Sequence, residues 1–132
     1  MKREVGLWID QNETIFVTII NGTETIRRIK SNVVYHGIKP KSKKSNNANL
    51  SQIEETNKEK FLFHLNQYYD GIISFIKDAD SILIFGPGIA KKEFEKRLIN
   101  KELGDHILGV ETVGKMTEKQ ISDKVRYYYL GH

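Results

Sequence analysis

Three groups of residues in this chain could do chemistry. The first centres on Asp10, which ends the run V-G-L-W-I-D. A carboxylate at a strand end suits two-metal phosphoester hydrolysis, which needs several acids converging on ions roughly 4 Å apart. Where a second acid is wanted, after I-L-I-F, the chain has Gly86-Pro87-Gly88. Asp78 and Asp80 precede that strand, at its opposite end, and Glu54 and Glu59 could contribute only from a helix. The competing reading makes Asp10 a turn residue, in Asp-Gln-Asn-Glu between two strands.

The second group is the corner itself, G-P-G-I-A-K-K, between an apolar stretch and a helical one. It lacks the spacing and hydroxyl of a P-loop, and Lys91 stands where the dinucleotide fingerprint needs its third glycine. Local physics remains. Gly86 and Gly88 allow torsions or close approach, Pro87 stiffens the corner, and a helix start directs free N–H groups outward. Lys91 and Lys92 oppose the helix dipole there unless an anion or a neighbouring carboxylate such as Asp10 relieves them. Gly86, Pro87, Gly88, Lys91 and Lys92 are therefore candidates for an anion or backbone contact, and a tight turn with an Asp10–Lys91 pair is the alternative.

The third group is basic. Arg27, Arg28, Lys30, Lys39, Lys41, Lys43 and Lys44 fall between Arg27 and Ile53 with no acid among them. They are seven of the 21 Lys and Arg, which leaves 14 cations against 17 acids elsewhere, so the +4 charge resides in one segment. Segregated positive charge suits a polyanion, and a solvated loop is the alternative. The other groups say less. His36, His64, His106 and His132 show no ligand spacing. Tyr127-Tyr128-Tyr129 could stack on bases or divide between core and surface.

Composition sets the frame for these groups. A chain of 132 residues with 39% hydrophobic content is long enough to bury a core without staples, and one domain is expected over 1–132. The absence of cysteine excludes disulfides and thiolate metal sites. No apolar run exceeds strand length, so no membrane partner is expected. No signal-type apolar region follows Met1, which points to the cytoplasm.

The elements must then place the candidates. Val5, Leu7 and Ile9 alternate as a strand does, and Thr14 to Ile20 is β-branched and apolar on both faces. Asn21-Gly22 suits a type I′ turn into a third strand, Thr23 to Ile29, with a weaker extended piece at Asn32 to Tyr35. Residues 36–50, H-G-I-K-P-K-S-K-K-S-N-N-A-N-L, read as a long exposed basic loop. A helix follows, starting at a capping box on Ser51 or on Thr56, with Phe61, Leu65, Tyr68, Ile72 and Ile76 on one stripe. Ser81 to Phe85 is a strand, Phe94, Leu98 and Leu103 space a helix ended by Gly104, and Ile107 to Val113 is a strand. Thr117 with Gln120 caps the last helix, Met116 stapling against Ile121 and Val125 facing inward. The order β-β-β-α-β-α-β-α predicts an α/β fold of ribonuclease H-like type: a mixed five-stranded sheet, antiparallel meander plus two parallel strands, with about three helices.

V-G-L-W-I-D before a hairpin and long loop, A-D-S-I-L-I-F-G-P-G-I-A-K-K-E-F, and K-M-T-E-K-Q-I together resemble the central domain of archaeal and eukaryotic class-1 release factors and Pelota. The similarity is greatest to short bacterial proteins related to that domain and spans nearly the whole chain. It implies the same ribonuclease H-like fold. In the release factors the long loop carries a Gly-Gly-Gln triplet that promotes peptidyl-tRNA hydrolysis; here that loop has a lone Gly37, and Gln52 follows Leu50-Ser51. Pelota lacks the triplet and binds stalled ribosomes. The resemblance thus implies a non-catalytic ribosome- or RNA-binding protein, partnered by the ribosome, ribosomal RNA or tRNA, with no cofactor and no metal. The larger proteins' recognition domains have no counterpart in these residues, so mRNA reading is not expected. A metal-dependent nuclease or phosphoesterase using Asp10, and a protein-interaction module, are the alternatives.

Overall fold

The computed structural model describes residues 2–32 and 47–131. Its five strands are β1 (Arg3–Ile9), β2 (Glu13–Ile20), β3 (Thr23–Lys30), β4 (Ser81–Gly86) and β5 (Ile107–Thr112). The helices are α1 (Asn47–Ile76), α2 (Ala90–Asn100) and α3 (Glu118–Leu130), with a 3₁₀ turn over Gly104–His106. One mixed sheet has the order β3-β2-β1-β4-β5. The β1–β2 and β2–β3 pairs are antiparallel, and β1–β4 and β4–β5 are parallel. This is the ribonuclease H-like architecture expected from the element order.

Strand alternation divides the apolar side chains between two cores. Val5, Leu7, Ile9, Phe16, Ile82 and Ile84 pack with Leu65, Tyr69, Ile72, Phe94 and Leu98, so α1 and α2 cover one face. Trp8, Ile15, Val17, Leu83 and Phe85 pack with Ile121 and Val125 of α3 on the other. Gly6 lets α3 approach: a Cβ there would lie 2.4 Å from a Val125 methyl. Three tyrosines anchor helices through their hydroxyls. Tyr68 donates to the Asp10 carbonyl at 3.1 Å, Tyr69 to Glu93 at 2.8 Å, and Tyr129 to the Val5 carbonyl at 2.7 Å.

Two helix boundaries differ from expectation. α1 starts at Asn47, so residues 47–50 are helix rather than loop, and the candidate caps Ser51 and Thr56 are internal. Its 30 residues make a rod of about 45 Å, nearly twice the length of a seven-residue strand. Lys58 to His64 are accordingly exposed apart from half-buried Phe61, and burial begins at Leu65. α2 stops at Asn100, short of Leu103 and Gly104. The left-handed residue is Glu102 (φ 63°). Leu103 N–H donates to Leu98 O at 2.9 Å and Glu102 N–H to Ile99 O at 3.0 Å, a Schellman ending that folds Leu103 back onto the core. The expected extended piece beyond Asn32 and the loop to residue 46 lie outside the described residues. The α3 capping box forms as read, Thr117 Oγ1 accepting from Gln120 N at 3.1 Å and Gln120 Oε1 from Thr117 N at 2.9 Å.

Candidate nucleic-acid interface

The basic group divides when placed on the fold. Lys39, Lys41, Lys43 and Lys44 lie outside the described residues. Arg27, Arg28 and Lys30 are exposed on β3, and strand alternation sends them to different faces. Arg27 points to the α1 side, its guanidinium carbon 4.1 Å above the Phe75 ring. Arg28 points to the α3 side, where it bonds Glu118 at 2.9 Å and also Glu13. Lys115 lies 3.5 Å from the same Glu13 carboxylate. Burial pushes the Glu13 carboxyl upward, but Arg28 first and then Lys115 outweigh it, holding the group below the usual carboxylate range. Arg28 therefore reaches solvent with its charge already countered by two acids of its own chain.

The Gly86–Gly88 corner is shaped mainly by packing. Gly86 has φ 157°, and a Cβ there would lie 2.2 Å from the Ile9 carbonyl oxygen, so backbone from β1 occupies the space a side chain would fill. Lys91 does not pair with Asp10. Its side chain is buried and its ammonium donates to the Gly88 carbonyl, closing the corner from within. Lys92 is exposed. α2 begins with no side-chain cap, and a shallow crevice runs from Pro87, Gly88 and Ile89 to Asp10, Gln11 and Asn12. Helix N–H groups favour an anion in that crevice, and the Asp10 carboxylate opposes one.

Asp10 itself is a turn residue. Its Oδ1 accepts from Asn12 N and Glu13 N, both at 2.8 Å, and its own N–H donates to Glu13 O at 3.0 Å. Asp80 is at the far end of β4, where its carboxylate accepts from Arg3 N at 2.7 Å. Among the described residues no three His, Asp or Glu side chains converge as a metal site would need. His64 is exposed beside Gln67, and His106 Nδ1 lies 3.2 Å from the Asp80 carbonyl. His36 and His132 lie outside the described residues. The tyrosine run divides: Tyr129 is tied to Val5, burial pushing its phenol up to about 12, whereas Tyr127 and Tyr128 are exposed. With Met116, Gln120, Asp123 and Lys124 they line an open groove on α3.

The acids that hold these cations were not singled out from sequence. Glu13, Glu24, Glu111 and Glu118 meet Arg28, Arg126, Lys124 and again Arg28 across distances of 13 to 102 residues along the chain. Strand parity was the available signal: Glu13 lies opposite Lys30 and diagonal to Arg28, on the β2–β3 ladder.

No family model matches the sequence, and no curated protein does. Solved structures do. Pelota from Archaeoglobus fulgidus superposes with a TM-score of 0.58 at 10% identity, over 97% of this chain and 32% of that one. The fold is shared with Pelota. Pelota from Thermoplasma acidophilum (TM-score 0.54, 14% identity, 99% and 32% covered) and the archaeal translation termination factor aRF1 (0.55, 12%, 94% and 33%) agree. The chain thus spans about a third of the length of the Pelota and aRF1 chains it matches.

Proposed function

We propose that this chain binds the ribosome or RNA in translation, in a stalling, rescue or hibernation role, without catalysing peptide release. The observation that carries this reading is the shared fold: nearly all of the chain superposes on one part of Pelota and of a translation termination factor. The sequence carries no Gly-Gly-Gln triplet, which removes the grounds for peptide release, and the lysines of residues 39–44 suit a phosphate-binding role. Lys44 precedes the first residue of α1 by three positions, and of the side chains from Lys58 to His64 only Phe61 packs against the core. Contacts by Lys39, Lys41, Lys43 and Lys44 would be made from that end, with Arg27 and Lys30 in support. Arg28, bonded to two acids, contributes less. The Gly86–Gly88 corner, with exposed Lys92, is a secondary backbone or anion contact. Among the described residues no helix is long and apolar enough to cross a membrane, and a cytoplasmic site of action goes with this reading.

Co-sedimentation with ribosomes, and binding to free RNA, measured across salt concentrations, test the proposal. For four phosphate contacts a fourfold rise in salt should weaken binding roughly 100-fold. Replacing Lys39, Lys41, Lys43 and Lys44 by alanine should lower the log–log salt slope by roughly 3 without unfolding the chain. Binding that ignores salt, or no binding to either partner, overturns it.

A further inference from the structure

We propose that two copies of this chain join edge to edge through β3, antiparallel about a twofold axis at Ile26, giving one continuous ten-stranded sheet. β3 is eight residues long, contains no proline, runs in unbroken register with β2, and carries no strand on its far side among the described residues. Sheet edges of this kind are templates for pairing unless a protein blocks them.

The ladder parity shows which backbone groups are offered. Asn21 (φ 53°) and Gly22 (φ 80°) form a two-residue hairpin turn, so the closing pair Ile20–Thr23 bonds across the hairpin, as do alternate pairs beyond it. At the far end Ser31 N–H donates to Asn12 O at 2.9 Å, which keeps that odd-numbered parity. The odd residues of β3 thus bond β2, and Glu24, Ile26, Arg28 and Lys30 direct their N–H and C=O groups to the open edge.

A twofold partner must pair these even residues with one another. With Ile26 opposite its own copy, Glu24 of each chain stands directly opposite Arg28 of the other, and Arg27 opposite Thr25. The side chains of Glu24, Ile26 and Arg28 share one face, so two half-exposed isoleucines (43% exposed) meet on the axis, flanked on each side by a Glu24 carboxylate facing an Arg28 guanidinium. Both groups also hold partners within their own chain, Glu24 with Arg126 and Ser122 and Arg28 with Glu13 and Glu118, so the facing pairs join two existing clusters. Other registers are worse. Sliding two residues toward the C-terminal end puts Arg27 opposite its own copy, and two more residues does the same to Arg28. Sliding the other way sets Arg28 against Gly22 of the turn. Only this register sets Ile26 against its own copy with opposite charges facing on either side.

The absence of cysteine makes a direct test available. Residues opposite one another in a hydrogen-bonded antiparallel pair have Cα atoms about 5.5 Å apart, within disulfide range. An Ile26→Cys variant should oxidise readily to a covalent dimer, whereas Ile99→Cys, on exposed α2 surface, should not. Sedimentation equilibrium should show the wild-type chain passing from 15.3 kDa to twice that mass as concentration rises. Ile26→Pro removes an N–H that points away from β2, so circular dichroism should stay near wild type while the dimer is lost. A wild-type chain that stays monomeric throughout overturns the proposal. So does a dimer that survives Ile26→Pro, or cross-linking no faster at residue 26 than at residue 99.

Discussion

Two glycines and one glutamate determine much of what the sheet can support. Gly6 and Gly86 both leave room for a neighbour, but the neighbours differ. Gly6 faces a Val125 side chain, whereas Gly86 faces the Ile9 backbone oxygen. Alanine at either position should cost about 2 kcal/mol, read as a lower urea midpoint. Truncating Val125 to alanine should recover part of the Gly6→Ala loss, giving a coupling of about 1 kcal/mol in a double-mutant cycle. No side-chain truncation at Ile9 should rescue Gly86→Ala, because the clash there is with backbone. Glu13 contributes electrostatically. Its folded carboxyl lies below the usual range, so the unfolded chain takes up the proton first as pH falls. The stability it supplies is complete above about pH 4.3, the unfolded value, and is lost as pH drops through the folded one. Glu13→Gln should therefore be less stable than wild type at neutral pH, by roughly 0.5 to 1 kcal/mol after solvent screening, and the gap should close in acid.

At the scale of elements, both misplaced helix ends lie away from the local signals read for them. Sequence offered Gly104 as terminator of α2, yet the chain turns at Glu102 because Leu103 gains a place against the core. Tertiary burial outweighs the left-handed strain, which is about 1 kcal/mol for a residue with a Cβ. Glu102→Gly should relieve that strain and raise stability by roughly 0.5 kcal/mol, net of the extra unfolded-state entropy of glycine, measured as a higher melting temperature. α1 likewise runs through two good capping sequences, since its start is set upstream of them. Thr117 behaved as read because capping partner, staple and apolar stripe all agree there.

For the whole molecule, the distribution of charge matters more than its total. Arg28, Glu13, Glu118 and Lys115 fasten α3 to the meander edge, and Glu24 with Arg126 and Ser122 repeats the pattern. Arg28→Ala should lower the melting temperature while leaving RNA or ribosome affinity within about twofold, since it removes no free charge. A loss of binding comparable to that of the four-lysine variant would show that Arg28 leaves its acids to meet phosphate.

The order of elements, the faces of the strands, the Asn21-Gly22 turn and the Thr117 cap were legible from residue types alone, because each depends on periodicity or on neighbours a few positions away. What the tertiary structure decided was partnership at long sequence separation. It sent Arg27 and Arg28 to opposite faces and countered one of them with acids from two other elements. It also buried Lys91 against the Gly88 carbonyl instead of beside Asp10, and stopped α2 at Glu102. A linear chain specifies which groups are charged, but which charges meet depends on the crossing of strands and helices that only packing fixes.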